Sequence, residues 1–398
     1  MKSLEPRKSF GDLINAVKSC GKATIVANND LDSAIAASFL ARFFRDMDVE
    51  VEIASAHQAP RPIDLRAPLI LVGLVQRTAL PGANVFLLEE YVSFDSRRLL
   101  SLALQLVPRI KEVWIVSKEL EAMALAAMVS LGTSSCYDER ILENHMEILS
   151  SSVSSENFSV VETLRLFGYP HVDLVTALYR TLDPFILGVS LDRDGCRKLV
   201  EELGIDPTSL RGEDRDKLVS KLNEIVGRYA RSFANFVGKK IVVKGLDLVD
   251  DIYELSYVME LVLELKGLEY ILAVMLEPSY VNVAYALYTR ARDLIRKVVG
   301  DVVEQRTNVK RIYVRGIKLS ILEFDDENLL GRLPIYTIGR ILRALGLCED
   351  IFVARFGEKA FCLPLPLTDR RWPFEEGVEV VGGCLVLDSV DRVPRFVK

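Results

Sequence analysis

Strand-like and helix-like stretches alternate over the first 130 residues, and that order restricts the fold more than any other feature of the chain. Residues 23–27 (ATIVA) form a short apolar run of the buried-strand type. Residues 31–47 follow, with Ile35, Phe39 and Phe43 at four-residue spacing on one helical face. Residues 49–55 (VEVEIAS) alternate with period two, and 69–75, 84–90 and 112–116 give three more strand signals. Helices are expected at 96–106 and 120–131. Such alternation predicts a mainly parallel sheet with helices on both faces. Ligand sites in such sheets lie beyond the carboxyl ends of the strands.

The character then changes. Residues 150–159 are serine-rich and read as a loop or joining segment. Residues 160–226 read as mostly helical, 214–236 as a long charged helix, and 239–249 as a strand. Beyond these, 253–266 is a helix candidate. Residues 270–276 and 280–287 read as strands split by the turn EPS. Residues 291–303 read as helix, 312–324 as a strand run broken by Gly316, and 337–347 as helix. Three strand segments close the chain at 351–357, 359–366 and 378–390. The expected fold class is α/β, in three parts: a parallel-sheet domain over 1–190, a mainly helical connector over 191–245, and a smaller α/β domain over 246–398.

Composition narrows the function. Fifty Lys and Arg against 56 Asp and Glu leave a net charge of −6, so any nucleic-acid contact must come from a local patch. Half of the residues are apolar and the mean hydropathy is +0.21, which excludes a disordered chain and implies a large core. No apolar run approaches the roughly 18 residues a membrane span needs. The first residues lack the apolar stretch of a signal peptide, so the expected location is the cytoplasm. The nearest two of the six cysteines, Cys348 and Cys362, are 14 residues apart, so no zinc-type pair exists and buried free thiols are expected. Only three histidines are present, little material for a transition-metal enzyme.

The segment ANNDLDS, residues 27–33, ends the first strand and enters the first helix. In extended backbone Asn28, Asp30 and Asp32 face one way and converge at the sheet edge. Two carboxylates and an amide there suit a hard cation, and Asp or Asn at that position equally suits a helix N-cap.

These residues resemble the opening motif of the DHH phosphoesterases, His-x-Asp-x-Asp at the end of the first strand, followed by a helix rich in small residues. Asn28, Asp30 and Asp32 occupy those places, and AIAASFL matches the helix. Residues 181–206 (TLDPFILGVSLDRDGCRKLVEELGID) are similar to a segment of archaeal RecJ-like proteins, in which DPF-x-x-G precedes a helix ending LEELGI. Residues 253–270 are similar to the helix that opens the DHH-associated domain. The resemblance implies a DHH-type domain followed by a DHH-associated domain. It also implies kinship with the eukaryotic cell-division-cycle factor that joins the MCM ring to GINS.

Departures from the family pattern fall on the ligands. The second motif's acid is matched by Gly73. The third motif, Asp-His-His, is matched by Glu89, Glu90 and Tyr91. The fourth has no convincing match over 147–158. The closing glycine–histidine motif is reduced to Gly382-Gly383-Cys384. A two-metal phosphoesterase needs a dense mixed shell around cations about 3.5–4 Å apart. Asp30 and Asp32, even with Glu89 completing a single-cation site, fall short of it. No cofactor or resident metal is expected, and these positions are read as vestigial. Residues 290–318 gather nine cations: Arg290, Arg292, Arg296, Lys297, Arg306, Lys310, Arg311, Arg315 and Lys318. Asp293, Asp301 and Glu304 oppose them, leaving +6. With Tyr288 and Tyr313 interleaved, they are expected to bind single-stranded DNA weakly, or else to form a solvated face. The resulting expectation is a non-catalytic RecJ-like scaffold of an archaeal replicative helicase, joining GINS and MCM. Its rivals are an active metal-dependent single-strand exonuclease and a stand-alone single-strand binding protein.

Overall fold

The computed structural model describes residues 8–58, 67–76, 84–92, 100–132, 135–152, 157–210, 212–231, 235–244, 251–307, 309–357, 360–372 and 379–397. The first part contains α1 (Phe10–Cys20), β1 (Lys22–Ala27), α2 (Leu31–Arg45), β2 (Glu50–Ser55), β3 (Leu69–Val72), β4 (Val75–Gln76), β5 (Val85–Leu87), α3 (Glu89–Val92), α4 (Leu102–Lys111), α5 (Lys118–Ser130) and α6 (Glu139–Ser152). Strands β2, β1, β3 and β5 lie side by side in that order, all parallel. The chain runs outward from β1 in one direction to β2 and in the other to β3. The crevice beyond the carboxyl ends of β1 and β3 is therefore the switch point where such a sheet takes ligands.

The middle of the chain contains β6 (Phe158–Leu164), α7 (Leu174–Arg180), α8 (Arg193–Leu203), α9 (Gly212–Gly227) and β7 (Val237–Val243), with β6 and β7 paired antiparallel. The last part holds α10 (Ile252–Lys266), α11 (Leu268–Leu276), α12 (Val281–Val303), β8 (Val309–Val314), β9 (Ile317–Phe324), α13 (Ile335–Ala344), β10 (Ile351–Phe356), β11 (Ala360–Pro364), β12 (Arg371–Trp372), β13 (Glu379–Val381) and β14 (Cys384–Leu387). Six strands form its sheet in the order β13-β14-β11-β10-β9-β8, and only β9 and β10 pair in parallel. The architecture is thus the expected mixed α/β one. No helix among the described residues is long and apolar enough to cross a membrane.

Two helices hold the parts together. In α2, Ala34, Ala36, Ala37 and Ser38 let neighbours approach closely, while Phe39, Phe43 and Phe44 fill the core. It packs on α4, α5 and α11. Helix α10 is buried along most of its length and packs on α5, α11, α12 and α13, so the two parts share one continuous core. Strand β12 pairs with β4, adding a backbone link between the same parts.

Several local expectations are corrected. Residues 270–276 and 280–287 are helical; α12 is apolar on two adjacent flanks, which is why its sequence mimics a buried strand. Residues 112–116 alternate in the sequence yet join α4 to α5 without pairing. Trp114 turns inward onto Phe39 and Phe43, while Val113 and Ile115 face solvent. Residues 160–164 belong to a strand, not a helix. Glu89 and Glu90 begin a short helix instead of ending a strand. Cys362 and Cys384 are joined in a disulfide between neighbouring strands β11 and β14, while Cys136, Cys196 and Cys348 are buried free thiols and Cys20 is exposed. Residues 96–99, 153–156, 211, 232–234, 245–249, 359 and 378 of the expected segments lie outside the described residues.

Candidate functional site

The carboxyl ends of β1 and β3 face the last part of the chain across a cavity of about 440 Å³. Asn28, Asn29 and His57 line one wall, and Glu264, Tyr336 and Gly383 line the other. The geometry of the first wall follows from where α2 starts. Asp30 is its N-cap, with backbone in the extended region, and its Oδ1 accepts from the Ser33 amide at 2.8 Å. Strand alternation therefore ends at Asp30. Asn28 and Asp30 do converge, the Asn28 amide donating to Asp30 Oδ2 at 2.5 Å.

Asp32 does not join them, contrary to the extended-backbone expectation. It lies in the first turn of α2 and points into the protein. Ser101 Oγ donates to its Oδ1 at 2.5 Å, the Leu102 amide to Oδ2 at 2.7 Å, and the Ala103 amide to Oδ1 at 3.1 Å. Asp32 therefore caps α4, a helix remote in sequence, in addition to that helix's own N-cap, Ser101. Burial, with the nearby Asp30 charge, raises the Asp32 pKa to about 7 against the pull of these donors. His145 completes the arrangement. Its Nε2 accepts from the Ser101 amide at 2.8 Å, so Nδ1 carries the proton and donates to the Ile141 carbonyl at 2.6 Å.

Gly73 sits at φ +67, and a Cβ there would lie 2.0 Å from Ser33 Oγ and 3.3 Å from Asn28 Cβ. The position matched to the family's second acid thus has no room for a side chain. Glu89 does reach the site. Its carboxyl accepts from the Gly73 amide, its Oε2 is buried without a partner, and burial lifts its pKa to about 6. The next two positions turn away. Glu90 pairs with Lys8 at 2.5 Å, and Tyr91 is buried against Phe86. Asn28, Asp30, Gly73 and Glu89 are brought together; Asp32, Glu90 and Tyr91 are not. Among the described residues no three His, Cys, Asp or Glu side chains form a group able to hold a metal ion. Among the described residues, Asp30 and Glu89 alone do not fit a two-cation shell.

The wall facing them was not foreseen. Glu264 is buried near the end of α10 and accepts from the Tyr336 amide at 2.6 Å and the Thr337 amide at 3.2 Å. It caps α13, whose own N-cap residue, Pro334, offers no side-chain acceptor. Burial raises its pKa to about 8. Gly383 packs on it so closely that a Cβ would lie 2.6 Å from Glu264 Cγ. One turn earlier, Glu260 pairs with Arg340 in the core, and the guanidinium lies 4.5 Å from the Tyr257 ring. The signal in the sequence was three acids, Glu254, Glu260 and Glu264, in a helix whose other residues are mostly apolar and buried. Across the cavity, in the first wall, burial lowers the His57 pKa to about 4, and its Nδ1 lies 2.7 Å from Asn29 Oδ1.

The basic stretch divides. Arg292 pairs with Glu254 and stacks over Tyr288, which is fully buried and unavailable to a base. Arg296 donates to the Leu191 carbonyl at 3.1 Å. Arg306 pairs with Asp301 and Glu304, Lys310 with Glu323, and Arg311 and Lys318 both with Glu349. Arg315 and Gly316, both with positive φ, form the two-residue β8–β9 turn. Tyr313 near it is 74% exposed. Arg290 and Lys297 lie exposed on α12.

A family model described as archaeal Cdc45 matches residues 114–322, a little over half of the chain. No curated protein matches it in sequence. Among solved structures it is similar to CDC45 from Entamoeba histolytica, with a TM-score of 0.56 at 11% identity over 90% of this chain and 87% of that one. It is also similar to RecJ in complex with Mn²⁺ from Thermus thermophilus, with a TM-score of 0.42 at 11% identity over 100% of this chain and 53% of that one.

Proposed function

This chain belongs to the archaeal Cdc45 family, and from that premise we propose that it is a non-catalytic, RecJ-like scaffold of the replicative helicase, joining GINS and MCM. One observation carries the loss of catalysis. At the β1–β3 switch point Asp32 is engaged by three donors of α4, and Gly73 leaves no space for a side chain. Asp30 and Glu89 remain, and two carboxylates do not hold and orient two cations. The fold around them is kept and its core is closely packed, which accords with a role in assembly.

Two measurements test the proposal. Purified protein is expected to leave single-stranded DNA and RNA intact with manganese or magnesium. Turnover that vanishes in Asp30→Ala would instead support the exonuclease reading. Mixed with GINS at micromolar concentration, the protein is expected to co-elute on gel filtration at low and moderate salt. Separate elution would sink the scaffold reading.

A further inference from the structure

The first wall of the cavity beyond β1 and β3 holds polar atoms that lack partners. Asn28 and Asn29 line it and are only 3% and 5% exposed. The Asn28 amide nitrogen is taken by Asp30, and its Oδ1 is buried with no donor among the described residues. Asn29 Oδ1 can only accept, so His57 carries its proton on Nδ1 and keeps Nε2 as an acceptor. Asn29 Nδ2 is buried with no acceptor. Buried polar atoms are nearly always paired. An orphaned acceptor and an orphaned donor on consecutive residues beside a cavity mark the place of a missing partner.

The rest of the lining sets the kind of partner. Leu31, Leu263, Leu268, Leu365 and Pro366 give the cavity apolar walls. Its buried polar groups carry no free charge at neutral pH. Glu264, with its pKa near 8, holds its proton, Glu260 is neutralised by Arg340, and His57 is uncharged. Asp30, behind Asn28, is taken up by the Asn28 side chain and the Ser33 amide. Among the described lining residues the exposed charge is Lys266, at the rim.

The cavity's 440 Å³ lies within the range of small-molecule sites. A phosphate placed deep in it would find no buried cation and would face Asp30. A sugar would set hydroxyls against leucines without partners. A flat heterocycle fits both features. Its edge carries an N–H and a carbonyl or ring nitrogen side by side, and its faces are apolar.

We propose that this cavity binds a nucleobase by its edge, donating to Asn28 Oδ1 and accepting from Asn29 Nδ2, with its faces on the leucine walls. The base comes as a free nucleoside or as the terminal base of a single strand, and in either case its phosphate or sugar points to the rim. Binding needs no metal and leads to no bond cleavage. The proposal is independent of the scaffold reading and holds whether or not the chain joins GINS and MCM.

The test titrates the full-length protein by calorimetry, without divalent metal, with the common ribonucleosides, their 5′-monophosphates and a short single-stranded oligonucleotide. At least one nucleoside is expected to bind with a Kd on the order of 0.1 mM, as suits a ligand of about 20 non-hydrogen atoms. Its affinity should be the same at low and moderate salt, because no charge is neutralised, and the monophosphate of the same base should bind no more tightly. Two variants from opposite walls are compared with wild type. Asn29→Leu removes the orphaned donor, and Val380→Trp fills the cavity from the half-buried β13. Each is expected to weaken binding about tenfold or more, and an unchanged thermal midpoint verifies the fold. If the oligonucleotide binds, no nucleoside does, and both variants abolish that binding, the ligand is the terminal base. If neither nucleosides nor oligonucleotide bind at millimolar concentration, or if both variants bind as wild type does, the proposal fails and the scaffold reading stands. Tighter binding of the monophosphates, steepening as salt falls, would overturn it in favour of a phosphate site.

Discussion

The sheet edge beyond β1 and the outer flank of α12 both carry charges that a sequence reader marks as functional, and the two regions use them in opposite ways. At the sheet edge Asp30 and Asp32 are acceptors for helix amides. On α12 two cations stand free in solvent beside an apolar strip. A charge already satisfied inside the fold contributes to stability and is withdrawn from ligand chemistry. A charge left open contributes little to stability and remains available to a partner.

Mutations that remove internal charges should therefore cost stability, and mutations of the open ones should not. The largest effect is expected from Arg340→Met, which strands the buried Glu260 carboxylate and should lower unfolding free energy by about 3–5 kcal/mol in urea melts. Replacing both partners by leucine should cost less than the single change. Asp32→Ala removes the acceptor of three donors and should cost about 2–3 kcal/mol. Gly73→Asp should cost about 2 kcal/mol, from positive φ and the clash with Ser33. Adding Ser33→Gly should recover part of that loss without creating manganese-dependent hydrolysis, because Asp32 stays bound to α4.

The next effect is one of pH. The Glu264 pKa is near 8 in the folded chain against 4.5 for the ordinary carboxyl, so the folded state holds its proton more tightly. Stability from this group is complete below about pH 4.5 and is lost as pH rises towards 8. Glu264→Gln should flatten the fall in urea midpoint between pH 5 and 8. The smallest effect is expected on α12, where Arg290→Ala with Lys297→Ala should change stability by no more than about 0.5 kcal/mol. A larger loss would show that these cations are also engaged in the fold.

The same contrast explains what the sequence disclosed. The parallel sheet was legible because β1, β2 and β3 carry their period and their order in the chain itself. The opening motif was legible as residues, and its outcome was not. Whether Asp32 faces Asp30 or α4 depends on where the helix begins, and a single capping bond decides that. Helices α11 and α12 were misread for a physical reason. The residues at 280 and 283 are apolar although exposed, so with the buried flank they made a run resembling a strand. Glu264 was passed over because its partners, Tyr336 and Thr337, are more than 70 residues away.

Those long separations bear on how the chain folds. Asp32 meets the amides of α4 across 70 and 71 residues, Glu264 meets Tyr336 across 72, and Asp251 meets the Gly168 amide across 83. On the ribosome, at roughly 5–20 residues per second, Asp32 emerges about 4–14 seconds before the helix it completes. Contacts so distant in sequence must close large loops before they reward the chain, which slows folding. The start of α13 gains its acceptor only when α10 is already docked. Helices α4 and α13 thus gain their full set of acceptors only after segments about 70 residues away have docked.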